Sequence, residues 1–132
     1  MNWLLNNFMK KLALVYLLAF VVSWLWEVLH SALYLNYMGG AITGWVLFHV
    51  TIVDAVMILV LVFVGRKLGK YKTLFILAGG FIIAIIIETW ALQTGRWEYN
   101  FLMPIIPVIK TGLSPTIQLA TTAYFVDKII RK

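Results

Sequence analysis

The chain has 132 residues, 63% of them hydrophobic and only 12% charged, whereas water-soluble domains carry roughly 45–50% apolar and about 25% charged residues. That balance excludes an ordinary soluble globule and calls for lipid as solvent. The net charge of +6 fits basic cytoplasmic loops better than a nucleic-acid partner, and the lack of cysteine excludes disulfides, thiolate metal sites and cysteine nucleophiles.

In chain order, apolar stretches fall at about residues 11–34, 41–64, 73–94 and 105–127. Each is near the roughly 20 residues that cross a hydrocarbon core, and in lipid each must be helical to satisfy its own backbone. The predicted fold is all-α, an integral membrane four-helix bundle occupying residues 1–132 as one transmembrane domain. Trp3 and Phe8 among asparagines predict a short interfacial anchor ahead of the first span. Lys10 and Lys11 before Leu12 to Val22 resemble a signal peptide. The following Ser23-Trp24-Leu25-Trp26-Glu27 offers no small-x-small cleavage site, however, so the segment reads as a retained span.

In the first span Tyr16, Ala19, Ser23, Glu27, His30 and Tyr34 recur at helical spacing and form one stripe. The second span presents Thr51 and Asp54 on one face, with His49 about 140° away at roughly 100° per residue; Asp54 is assigned to a cavity and His49 is left unassigned. In the third, Gly80, Ala84, Glu88, Ala91 and Gly95 make a stripe of small residues that permits close helix approach. In the fourth, Lys110, Ser114, Gln118 and Thr121 share a face, and Pro115 is expected to free the carbonyl of Thr111.

Nine cations, Lys10, Lys11, Arg66, Lys67, Lys70, Lys72, Lys128, Arg131 and Lys132, fall on one side, leaving Arg96 and Lys110 for the other. Both termini are therefore expected in the cytoplasm, in a multi-pass protein of the plasma membrane if the host is prokaryotic. Glu27, His30 and Glu88 then lie in the outer half of the bilayer, where buried ionisable groups are costly and mark function.

Their convergence predicts an outward-opening polar pocket, with Glu27, His30 and Glu88 as catalytic groups and Asp54 at its floor. Lys110, Gln118, Trp90 and Trp24 are the candidate substrate contacts, and Gly95 to Asn100 is expected to lie over the mouth with a further charge pair. Carboxyl groups in such a setting suit proton transfer, and the indole of Trp90 suits a developing cation. The alternative for the acids is neutralisation by Lys110, Arg96 or His30. Glu27-x-x-His30 has the spacing of half a di-iron site, but with two histidines in the chain the second half is missing and no metal is assigned. Trp24, Trp26, Trp45, Trp90 and Trp97 also read as an interfacial aromatic belt.

The first functional expectation is an intramembrane acid–base enzyme of isomerase, cyclase or hydratase type, acting on a lipid-like or isoprenoid-like substrate with no diffusible cofactor. The alternatives are a small homo-oligomeric ion or proton transporter, and a structural subunit of a membrane complex. Membrane lipids and an apolar small molecule are the expected partners.

Overall fold

The computed structural model describes residues 2–130 of the chain; Arg131 and Lys132, two of the charges counted above, lie outside the described residues. Four helices make up most of it: α1 (Asn2–His30), α2 (Gly44–Arg66), α3 (Lys72–Gln93) and α4 (Leu113–Ile130). Two short strands, β1 (Tyr34–Tyr37) and β2 (Trp97–Tyr99), pair antiparallel with Tyr34 opposite Tyr99 and Tyr37 opposite Trp97. The fold is thus helical with a small β ribbon, rather than purely α.

Helices α1, α2 and α3 are long and apolar enough to cross a membrane. Their outward faces carry Leu14, Leu17, Val21, Val53, Val56, Val60, Leu74, Ile82 and Ile86, all well exposed. A continuous surface of that kind would be a liability in water and is the normal exterior of a helix bundle in hydrocarbon.

The fourth element differs from its expectation. It starts at Leu113 instead of about 105, because Pro104 and Pro107 lack a backbone donor and Val108 and Lys110 adopt φ of 75° and 61°. Helix α4 is also the least apolar of the four. Half of its positions are buried, Thr116, Gln118, Thr122 and Asp127 among them, since it packs on each of the other three helices. A helix surrounded by protein has no need of a greasy surface all round. Pro115 falls in the first turn of α4, where an N–H has no helical acceptor, and the Thr111 carbonyl accepts from the Ile106 N–H at 2.9 Å; no carbonyl is freed there.

Helix α1 continues from Asn2 without a break, so the expected interfacial anchor is part of a rod about 43 Å long at 1.5 Å per residue. The core beneath the ribbon end is apolar, with Val15, Ala19, Ile58, Val62, Ile76, Ala123 and Val126 fully buried. Close packing there depends on small residues. A Cβ on Gly80 would lie 2.5 Å from Ala120 Cα, so α3 and α4 touch backbone to backbone.

At the end where α2 meets α3, Asp127 of α4 is buried and paired with Arg66 Nε at 3.1 Å and Lys72 Nζ at 3.0 Å. This will be called the basic end. At the opposite end α3 closes in a Schellman turn: Arg96 N–H reaches Ala91 O at 2.8 Å and Gly95 has φ of +72°. Gly95 is therefore an exposed cap residue and not a member of the α3 packing stripe; the buried members are Gly80, Ala84, Glu88 and Ala91. The turn throws β2 back across the bundle onto β1.

Candidate functional site

Residues of the ribbon and of all four helices line a cavity of about 100 Å³. Its wall includes Glu27 and His30 from α1, Asp54 from α2, Glu88 from α3 and Gln118 from α4, so all four helices send a polar side chain to one chamber. Glu27, His30, Glu88 and Gln118 are each only 6% exposed.

On α1, Glu27 and His30 are one turn apart and on the same face; Glu27 Oε2 lies 2.8 Å from His30 Nε2. The other ring nitrogen, Nδ1, is 2.9 Å from Ser114 Oγ, and that hydroxyl accepts from the Trp26 indole at 3.2 Å. Ser114 Oγ can accept from or donate to Nδ1, so the hydrogen between Nε2 and Glu27 can reside on the imidazole or on the carboxyl group.

Gln118 joins this pair to α2. Its Nε2 donates to Glu27 Oε1 at 2.8 Å and to Asp54 Oδ2 at 2.9 Å. Both neighbours are carboxyl oxygens, so the amide nitrogen and not its oxygen faces them. One neutral side chain thereby holds two acids from different helices beside each other.

Glu88 sits in a second arrangement a short distance away. It accepts from the Trp97 indole at 3.0 Å, from the Tyr34 hydroxyl at 3.4 Å and from the Tyr99 hydroxyl. Burial, followed by the neighbouring Glu88 carboxylate, pushes the phenols of Tyr34 and Tyr99 well above their ordinary value, so both stay neutral donors at any physiological pH. The His30 and Tyr34 rings meet edge to face at 5.3 Å, which makes the two arrangements contiguous.

The chain matches no protein-family model, and no curated protein or solved structure is significantly similar to it. What the chamber does must therefore be read from its own residues.

Of the residues singled out in the sequence, Glu27, His30, Asp54, Glu88 and Gln118 come together, and Trp24, Trp90 and Lys110 lie outside the cavity wall. Lys110 is exposed in the loop before α4. Its presumed face with Ser114 and Gln118 required helix that begins only three residues later. Trp90 is half exposed and lies under the Arg96 guanidinium at 4.8 Å. Trp24 is partly buried on the flank of α1. His49 is exposed, bonds to the Trp45 carbonyl at 2.8 Å and packs on the Trp45 ring.

Glu98 bonds to Asn36 at 3.3 Å rather than pairing with Arg96. Neither Lys110 nor Arg96 neutralises an acid of the chamber; Glu27 is paired with His30. Among the described residues no group of three or more His, Asp and Glu side chains is arranged to hold a metal ion.

Gly95 to Asn100 was expected over the mouth, and Trp97 and Tyr99 do lie there; what sequence reasoning missed is Tyr37 and the donation from the Trp97 indole and the Tyr99 hydroxyl to Glu88. The signal was present in Trp97-Glu98-Tyr99, whose alternation places two aromatic rings on one face of a strand just past the glycine that ends α3.

Chemically, the chamber presents three carboxyl groups and one imidazole, with Gln118 and Asn36 beside them, to a wall whose largest share is apolar, Ile42, Val46, Leu47, Val50 and Met57 included. One imidazole cannot compensate three buried carboxylates, so the three acids are not all ionised together. The arrangement can give a proton to a bound molecule and take one from it.

Proposed function

We propose that the chain is a multi-pass integral membrane protein with four spans and both termini in the cytoplasm. On this reading it is an acid–base enzyme whose lipid-like or isoprenoid-like substrate is converted in the outward-half chamber by isomerisation, cyclisation or hydration. Glu27 delivers the proton, and His30, whose Nε2 lies 2.8 Å from its carboxyl group, restores its protonation. Glu88, held by three donors, is oriented as an acceptor and takes a proton from the substrate. In an isomerisation or cyclisation the proton added at one carbon is balanced by the proton lost from another, so no co-reactant is needed; hydration consumes one water.

The observation that carries this reading is the bridge from Gln118 to Glu27 and Asp54 on the wall of an apolar cavity. A purely structural role for the acids would favour tight packing without a chamber. A transport path would need a continuous line of polar groups from the chamber to the basic end, and between them lies the apolar, fully buried core of Val15, Ile58, Val62 and Ile76.

The test is proton exchange. The full chain in lipid nanodiscs is incubated in D2O with unsaturated isoprenoid hydrocarbons and alcohols, and recovered lipids are analysed for carbon-bound deuterium. Incorporation that Glu27→Gln reduces by about 10²-fold or more, within the usual range for general acid–base catalysis, is the expected result. Equal incorporation in the wild type and in Glu27→Gln overturns the proposal.

A further inference from the structure

The cavity lining follows α2 from Val46 to Met57 and α3 from Ala84 to Glu88. Helices α2 and α3 are tightly joined toward the basic end, where a Cβ on Gly65 would meet Ile76 at 3.1 Å and one on Gly79 would meet Leu61 at 3.1 Å. Toward the ribbon they part. Val46, Val50 and Asp54 of α2 then stand across the cavity from Ala84, Ile87 and Glu88 of α3. Val46, Val50 and Ile87 are only partly buried, and immediately beside them Val53 and Ile86 belong to the exposed apolar surface. The mouth of the wedge therefore faces the same surroundings as the greasy exterior of the bundle.

Acids outnumber the single imidazole among the ionisable groups of the wall. The wall contains the carboxyl groups of Glu27, Asp54 and Glu88 and the imidazole of His30, and, among the described residues, no lysine or arginine. The cations of the surrounding elements are elsewhere: Arg96 lies on Trp90, Lys110 is exposed in the loop before α4, and Arg66 and Lys72 hold Asp127 at the far end. A phosphate or carboxylate head group would face three acids with no guanidinium or ammonium to meet it, and anion recognition depends on such donors. The roof adds the opposite preference. Tyr37 and Trp97 are stacked at 6.2 Å beside Tyr34, and aromatic faces attract cations.

We infer that the chamber admits a single-chain lipid sideways between α2 and α3, taking one whose inserted end is neutral or cationic and rejecting lipids with an anionic head group. The inserted end lies against Glu27, Asp54 and the roof aromatics while its chain trails past Val50 and Ile87 into the bilayer. This inference rests on the chamber being the substrate site, and it narrows the substrate class to molecules that are uncharged before reaction or that carry positive charge.

The test uses the full chain in phosphatidylcholine nanodiscs, with diazirine-bearing forms of hexadecanol, N,N-dimethylhexadecylamine and hexadecyl phosphate as probes and mass-spectrometric mapping of the crosslinks. The expected result is labelling of the facing α2 and α3 walls by the alcohol and the amine. Unlabelled amine should compete at least 10-fold better than unlabelled hexadecyl phosphate. Ile87→Trp, which fills the mouth, is expected to reduce labelling at least 5-fold, while Val21→Trp on the exposed face of α1 leaves it unchanged. Should Ile87→Trp fail to fold, the competition series on the wild-type chain decides alone.

Competition by the phosphate equal to or better than that by the amine overturns the inference, as does labelling indifferent to Ile87→Trp in a folded variant. Selective labelling without deuterium incorporation keeps the portal and removes the enzyme. Deuterium incorporation with phosphate preferred removes this inference alone.

Discussion

The Nε2 of Gln118 lies 2.8 Å from Oε1 of Glu27, so α4 and α1 meet deep in the bundle through an amide and a carboxyl group, 91 residues apart in the chain. A contact of this kind in a low-dielectric interior is expensive to leave incomplete. Gln118→Leu removes the shared donor from two acids at once. The expected outcome is a loss of about 1–3 kcal/mol of stability, the cost of leaving buried acceptors unsatisfied, together with loss of deuterium incorporation. Gln118→Asn, too short to reach both acids, should behave similarly. Thermal unfolding in detergent and the D2O assay read the two effects separately.

Glu88 depends on its roof. Trp97→Phe removes the indole donor at 3.0 Å but keeps an aromatic ring against Tyr34 and Tyr37. A reduction in deuterium incorporation with stability lowered by about 1 kcal/mol, the net worth of one hydrogen bond, is the expected outcome. Unchanged activity would show that Glu88 needs no orientation from β2.

The phenols give a pH signature. Tyr34 and Tyr99 are raised in the folded state, whereas in the unfolded chain they ionise near pH 10. Their contribution is fully present below about pH 10 and is lost progressively as pH rises beyond it, because only the unfolded chain then releases these protons. Melting temperatures measured from pH 8 to 11 should fall more steeply for the wild type than for Tyr34→Phe/Tyr99→Phe; parallel curves would contradict the assignment.

Backbone contact between α3 and α4 at Gly80 and Ala120 leaves no space for a side chain. Gly80→Ala would set its new methyl within 2.5–2.9 Å of Ala120 atoms, two of them backbone, and should cost about 1–3 kcal/mol as the helices are forced apart. Gly79→Ala meets only the Leu61 side chain at 3.1 Å, which can rotate away, and should cost less. Comparing the two melting temperatures checks the packing directly.

At the basic end, Asp127→Asn leaves Arg66 and Lys72 without their shared partner. Both cations are partly exposed, so the cost is expected at about 1.5–3 kcal/mol, the range for hydrogen bonds to charged groups, and below that of a fully buried pair. The chamber is far from this clamp, so deuterium incorporation per folded molecule should be unchanged.

The sequence by itself determined the four helical segments, the three greasy spans among them, and the inward stripes bearing Glu27, His30, Asp54, Glu88 and Gln118. Hydrophobic length and 3.6-residue spacing are local properties, and an ionisable group in an apolar run has few directions to point. Tertiary structure decided the rest. Where the helices stop depended on cap and loop geometry: the Schellman turn at Gly95 gave β2 its direction, and two positive-φ residues kept Lys110 out of α4. Which acids share a donor depended on contacts 64 and 91 residues apart, and the rings that roof Glu88 reach it from 9, 11 and 54 residues away, across the turn or from beyond another helix's end. No spacing rule within one helix encodes such contacts, because they are fixed only when four separate helices pack against one another.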